Sequence, residues 1–308
     1  MEKVILDMDP GLDDALALML ALRSPEIDLL AVTTVAGNAA LDVTTANTCR
    51  VLKCMGREDV PVFCGAARPL QQNLAGAIDY HGADGLANCG LAASSMIPQD
   101  VAAWDAMAQH ARSGDLTVVA TGPLTNVAIA FATYPELPDL LRRLVIMGGA
   151  YGLTKFGRRG NQTESAEFNV WQDPEAAASV FGAQCTTYAV GLDVSTDPCA
   201  CITPGHVGQL EGGKTPYARL AAKLAGYAVA RHGRCELHDP LALGVVLDEG
   251  LFEFAAHRVE VTVGNGPERG RTLALEADGS DGNIPVHIAV SVDGQRFLRL
   301  LTSRLLEE

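Results

Sequence analysis

The sequence predicts an α/β protein: one domain spanning 1–308, with a mostly parallel sheet covered on both faces by helices. Three observations carry that expectation. Strand-like runs that are apolar almost throughout alternate with longer helix-like stretches, as expected of strands buried on both faces. No internal repeat or low-complexity linker divides the chain. Polar and small residues collect where successive strand-like runs end, and open α/β sheets hold ligands at such carboxyl ends.

The first strand is expected over 4–9, where Val4, Ile5 and Leu6 lead into Asp7 and Asp9. Pro10-Gly11 turns the chain, and Leu12, Ala15, Leu16, Met19 and Leu20 recur at helical spacing, predicting a helix over 11–22. The run DLLAVTTV predicts a strand over 28–35, followed by a helix over 40–55. A short strand at 60–64 precedes a helix over 101–112. LTVVAT predicts a strand over 116–121, which Gly122-Pro123 turns into a helix over 124–133. RLVIMG predicts a strand over 143–148, and 173–182 a helix, with a further strand in TTYAVGL at 186–192. Helices are expected over 213–231 and 237–247, strands over 258–263 and 284–292, and a last helix capped by Asp293 and running to about 306. The Gly-rich stretches 152–165, 204–214 and 264–283 read as surface loops.

Composition narrows the function. With 37 acidic against 23 basic residues the formal net charge is −14, which opposes binding to nucleic-acid polymers but not to a neutral small molecule. No run of 18 apolar residues predicts a membrane span. Met1-Glu2-Lys3 passes straight into a strand, so no signal peptide and a cytoplasmic location are expected. The eight cysteines form no C-x-x-C pair, so zinc and redox motifs are unsupported and reduced thiols are expected.

Chemistry concentrates at the first strand-to-helix turn. Asp7, Asp9, Asp13 and Asp14 fall within eight residues. Carboxylates so crowded repel one another, and a hard divalent cation with oxygen ligands removes the repulsion. The helix N-terminus also favours anions. Other strand ends carry polar residues too: Asn38 in TTVAGN, Thr121 in ATGPLTN, the MGGAY segment, and Asp193 in VGLD. Each has a plain reading as turn or cap residue.

Two further clusters point to a ligand. In NQTESAEFN, Asn161, Glu167 and Asn169 surround Phe168, a set suited to the hydroxyls and apolar face of a sugar ring, though also to a solvated loop capping the helix near Asp173. In LHDPLALG, Asp239 offers a metal ligand and His238 a proton donor, while His-Asp-Pro is also an ordinary helix start. His81, in the Gly-flanked DYHGADG, is placed to cover a ligand. His110, His206, His232, His257 and His287 read as surface or structural, and Trp171 as core.

The ordered set DMDPGLDDALAL, TTVAGN, ATGPLTN, IMGGAY, AEFN with DPEAA, VGLD and HDP resembles the inosine–uridine-preferring nucleoside N-ribohydrolase family, over at least 4–247. The resemblance implies a mixed, mainly parallel, Rossmann-like sheet and a calcium-dependent hydrolase that releases ribose and a free base from ribonucleosides, in purine or pyrimidine salvage. It implies Asp9, Asp14, Asp239 and the main-chain carbonyl of Thr121 as calcium ligands, with Asp7 supporting Asp9. Asp13, Asn38, Asn161, Glu167 and Asn169 would hold ribose hydroxyls, Met147 would lie against the sugar, and His81 over the base. Asp9 would take a proton from the attacking water, and His238 would protonate the leaving base. Near the end of the 213–231 helix, where family members carry base-contacting residues, this chain offers Tyr227 and His232, so base preference stays open. A homodimer or homotetramer is expected. Two rival readings stand beside this one. One is a magnesium-dependent phosphohydrolase of the haloacid-dehalogenase type, with Asp7 as nucleophile, against which Pro10 speaks. The other is a non-catalytic ribose or nucleoside binder, which needs neither Asp9 as base nor His238 as acid.

Overall fold

In the computed structural model, residues 1–157, 159–277 and 284–307 are described. Along the chain, β1 (Glu2–Met8), α1 (Leu12–Leu22), β2 (Ile27–Thr34), α2 (Leu41–Cys54) and β3 (Val62–Cys64) are followed by α3 (Ile78–His81) and α4 (Ala103–Ala111). Then come β4 (Leu116–Ala120), α5 (Thr125–Thr133), α6 (Leu137–Leu140), β5 (Leu141–Met147), α7 (Phe168–Gln172), α8 (Pro174–Phe181), β6 (Thr187–Val190) and α9 (Leu192–Ser195). The last part holds α10 (Pro204–Glu211), α11 (Pro216–His232), α12 (His238–Leu247), β7 (Phe252–Val261), β8 (Thr272–Glu276), β9 (Val286–Val292) and α13 (Gly294–Leu306).

The strands form one sheet in the order β3-β2-β1-β4-β5-β6-β9-β7-β8. Pairing is parallel from β3 through β9, and β7 pairs antiparallel with both β9 and β8. Both faces are buried, as the apolar runs require. On β1, Val4, Leu6 and Met8 join one core cluster with residues of α1, α11, α12 and α13. Ile5, between them, joins the opposite cluster with residues of α4, α5 and α8. This alternation follows from the two-residue period of a strand.

The order of strands decides where a ligand goes. The chain leaves β1 for β2 and β3 on one side, then returns to β4 on the other side of β1. The carboxyl ends of β1 and β4 therefore flank the topological switch point, the crevice where open α/β sheets bind.

Three expectations need correction. The stretch 204–214 is mostly helix α10, not a loop. Thr203 and His206 form its capping box, which offsets the low helix propensity of Gly205 and Gly208. The stretch 264–283 contains β8, which pairs with β7 from Thr272↔Val261 to Glu276↔His257; its residues 278–283 lie outside the described residues, as does 158 in the 152–165 loop. Strand β7 also starts at Phe252 rather than 258. In the last two cases cross-strand pairing supplies what the local pattern does not. All eight cysteines are free thiols. Among the described residues no helix is long and apolar enough to cross a membrane.

Candidate active site

A cavity of about 340 Å³ opens at the switch point. Asp13, Asn38, Thr121, Met147, Asn161, Glu167, Phe168, Asn169, His81, His238 and Asp239 line it, together with Ala77, Tyr80, Gln162, His232 and Glu236. The cavity gathers side chains from β5, α1, α3, α7, α11 and α12 and from the loops after β2 and β4.

Its floor is acidic. Ligand oxygens of Asp13, Asp14 and Asp239 lie within 4.8 Å of one another, all buried. Asp14 closes the first turn of α1 by accepting from Gly11 N–H at 3.0 Å. It also accepts from Asn38 Nδ2 at 3.2 Å and Thr121 Oγ1 at 2.9 Å. Burial, then the charge of Asp13, pushes Asp14 up to about 6. Burial first and the aspartates Asp13, Asp14 and Asp9 next hold Asp239 well above the usual carboxylate range.

Asp9 stands apart from that triple. Its Oδ2 accepts from Asn38 N–H at 2.6 Å, and its Oδ1 is buried with no hydrogen-bond partner. Burial first, then the charge of Asp14, raises its pKa well above normal. Two glycines make room for it. A Cβ on Gly37 would collide with Oδ2, and one on Gly122 would come within 2.8 Å of Oδ1. The glycines of TTVAGN and ATGPLTN are thus required by close approach to one carboxylate, beyond their role as turn residues. Asp7 lies behind, accepting from Thr33 Oγ1 and Asn126 Nδ2, both at 2.7 Å. Its other oxygen has no partner, and burial pushes its carboxyl up to about 7.

This donor set fits a hard cation. An orphaned buried carboxylate oxygen and three mutually close carboxylates are costly by themselves. All donors are oxygens, with neither thiol nor imidazole in the cluster, which suits calcium or magnesium rather than zinc.

One wall is built from α7 and β5. Glu167 caps α7, accepting from Asn169 N–H at 2.8 Å and Val170 N–H at 3.0 Å, and reaches Gly149 N–H at 3.0 Å. Burial raises its carboxyl despite these three donors. Asn169 Nδ2 donates to the Thr121 carbonyl at 2.6 Å and lies 3.4 Å from Met147 Sδ. Asn161 Oδ1 accepts from Phe168 N–H at 2.8 Å, so the loop before α7 folds back onto it.

The far end is aromatic and imidazole-rich. Leu12 N–H donates to His81 Nδ1 at 3.1 Å, so Nδ1 is the acceptor and the proton sits on Nε2. Burial lowers the His81 pKa and keeps the ring neutral. Tyr80 packs edge-on against His81 and stacks on His232 at 5.2 Å. His238 Nδ1 lies 2.8 Å from Ser195 Oγ, and its Nε2 lies 3.5 Å from Glu236 Oε2. Burial alone pushes His238 down, but Glu236, Asp13 and Glu167 outweigh it, and its pKa is raised.

Most of the sequence-predicted residues converge here, with exceptions. Tyr227 does not line the cavity; it sits under Arg231, 4.4 Å from the guanidinium, because five residues on a helix turn it about 140° from the side that His232 occupies. His232 does line the cavity, against its reading as surface or structural. His206 caps α10, His257 bonds the Leu275 carbonyl and His287 stacks on Tyr188. Asp193 is a structural acceptor, holding Tyr151 N–H at 2.7 Å and Leu153 N–H at 2.6 Å. Tyr80, Gln162, Ser195 and Glu236 were not foreseen. Adjacency to His81, Asn161 and His238 was the only available signal for Tyr80, Gln162 and Glu236, and none pointed to Ser195.

Comparison with known proteins agrees with this geometry. Residues 4–299 match the inosine-uridine preferring nucleoside hydrolase family. The chain is 38% identical over 312 residues to a pyrimidine-specific ribonucleoside hydrolase, RihA, of Citrobacter koseri, covering 98% of this chain and 97% of that one. Its fold superposes on a plant nucleoside hydrolase with a TM-score of 0.92 at 33% identity, over 100% and 99% of the two chains. It superposes on a purine-preferring ribonucleoside hydrolase from Gardnerella vaginalis with a TM-score of 0.90 at 30% identity, over 99% and 98%.

Proposed function

The chain belongs to the inosine-uridine preferring nucleoside hydrolase family, whose members cleave N-glycosidic bonds, and from that premise we propose a calcium-dependent hydrolase of ribonucleosides with pyrimidine ribosides as its first substrates. The single observation that carries a hard divalent cation is the all-oxygen cluster at the cavity floor together with the unpartnered Asp9 Oδ1. The choice of calcium over magnesium rests on the family resemblance. The pyrimidine preference draws its support from the name of the RihA relative.

In this reading Asp9, Asp14, Asp239 and the Thr121 carbonyl hold the cation. Bound calcium would orient a sugar diol and lower the pKa of a coordinated water. Asp9 would also accept the proton of the water that attacks the anomeric carbon. Asp13, Asn38, Asn161, Glu167 and Asn169 bind the ribose hydroxyls. As the C–N bond breaks, its electron pair leaves with the base and positive charge builds on the sugar. The carboxylates of Asp13 and Glu167 stabilise that charge. His238 gives the departing base its proton, and His81 and Tyr80 pack against the base.

The phosphohydrolase alternative would make Asp7 the nucleophile, but Asp7 Oδ1 is held by Thr33 and Asn126, and among the described residues that line the cavity there is no lysine or arginine to hold a phosphate. The test is a panel of uridine, cytidine, inosine and adenosine assayed for free ribose, before and after chelation and after repletion with calcium or magnesium. Release that survives chelation, or that magnesium alone restores, would overturn the calcium assignment. Faster release from inosine than from uridine would overturn the pyrimidine preference.

A further inference from the structure

Both nitrogens of His238 are engaged by residues outside the proposed metal and sugar contacts. Ser195, fully buried at the end of α9, meets Nδ1 at 2.8 Å. Glu236, 8% exposed, faces Nε2 at 3.5 Å, an ion-pair separation rather than a short hydrogen bond. Glu236 is itself clamped: Arg234 donates to its Oε1 from Nε at 3.2 Å and from Nη2 at 2.7 Å. The segment is anchored next door, where Cys235 and Ile202 exchange two backbone hydrogen bonds of 2.9 Å. Cys235 is buried on one side, and Glu236 turns to the cavity wall.

We propose that Glu236, locked by Arg234, is a positioning residue that sets the ring orientation of His238 and keeps its proton on Nε2. A carboxylate accepts and does not donate, so Glu236 favours the forms of the imidazole in which the nitrogen facing it carries hydrogen. A serine hydroxyl both donates and accepts, so Ser195 satisfies Nδ1 whether or not that nitrogen is protonated. Arg234, Glu236, His238 and Ser195 thus form a chain in which the groups with fixed roles favour one tautomer of the imidazole. In hydrolase triads the orienting carboxylate holds the nitrogen opposite the reactive one; here Glu236 faces Nε2 itself, at 3.5 Å, loosely enough for that hydrogen to pass to the base. The 3.5 Å separation predicts a smaller effect here. This inference rests on the ribohydrolase reading and on His238 as the acid.

The experiment compares uridine with 4-nitrophenyl riboside, whose leaving group needs no proton, in the wild-type enzyme with calcium, Glu236→Gln and Arg234→Met. Glu236→Gln lowers kcat on uridine by about 10-fold, less than the roughly 10²–10⁴-fold of losing the acid itself, leaves KM within about twofold, and spares the nitrophenyl substrate; Arg234→Met shifts the same ratio in the same direction, more weakly. Nitrogen NMR of His238, taken at a pH high enough for the ring to be neutral, reads the tautomer directly: Nε2–H in the wild type, a mixture in Glu236→Gln. Equal slowing of both substrates, an unchanged ratio, or an unchanged tautomer overturns the role of Glu236. Failure of the wild type to release ribose from any nucleoside sinks the functional reading instead. Should Glu236→Gln not fold, Arg234→Met carries the same ratio and the same NMR readout.

Discussion

Removing one floor carboxylate should make the metal-free protein more stable. Asp14 is fully buried, and its carboxyl is pushed from 3.8 to about 6 by burial and then by Asp13. The folded state therefore holds this proton more tightly than the unfolded chain does. The associated stability is fully present below pH 3.8 and is lost as pH rises through about 6. The gap corresponds to on the order of 3 kcal/mol. Asparagine has nearly the same shape and no charge. Its oxygen can accept from Gly11 N–H and Asn38 Nδ2, and its amide can donate to Thr121 Oγ1, whose hydroxyl also accepts. After chelation at pH 8, Asp14→Asn is expected to be more stable than the wild type by on the order of 3 kcal/mol. For a chain of this length that is about 5 °C in Tm. At pH 4.5 the difference falls to about 1 kcal/mol, and it vanishes only below pH 3.8. Calcium should raise the wild-type Tm at pH 8 and do far less for the variant, which should also lose nucleoside hydrolysis. Thermal unfolding by circular dichroism over pH 4.5–8, with chelator or with calcium, measures all of this. A metal-free variant that melts below the wild type at pH 8, or a gap independent of pH, would refute the reasoning.

Three other outcomes follow from the same geometry. His238→Ala should slow uridine hydrolysis by about 10²–10⁴-fold, the range of general-acid effects, and spare 4-nitrophenyl riboside; equal loss on both removes the acid role. Deoxyuridine, which lacks one of the two hydroxyls a cation would share, should be a poor substrate in ribose-release assays, and a rate equal to uridine contradicts the diol assignment. Asp193→Ala strips the acceptor from two N–H groups, those of Tyr151 and Leu153, at about 1–3 kcal/mol each for those left buried. Calorimetry should show Tm lowered by several degrees, with KM raised because the loop that Asp193 anchors carries Asn161; a variant with wild-type Tm and KM would show that the anchor does not matter.

Much of this protein is determined locally. The apolar stretches within β1 (4–6), β4 (118–120) and β5 (144–147) read as strands buried on both faces, because they offer no polar side chain to water. The helix after Pro10-Gly11 is fixed by its 3.6-residue period, and the carboxyl-end position of Asp9, Asn38 and Thr121 follows from where those strands stop. What sequence could not decide is what depends on contact between distant segments. Strand β8 exists because β7 offers it a partner, and its own residues between glycines do not demand it. Ser195 and Glu236 are 41 residues apart in sequence yet meet on opposite nitrogens of one imidazole, a relation with no local trace. Likewise Tyr227 and His232 share a helix, and only the packing of α11 against its neighbours decides which one turns to the cavity. Local pattern fixes the elements, since hydrogen-bond geometry and burial act over a few residues. Which side chains converge is set by the order of strands and the faces that pack, and that information is held by the whole chain at once.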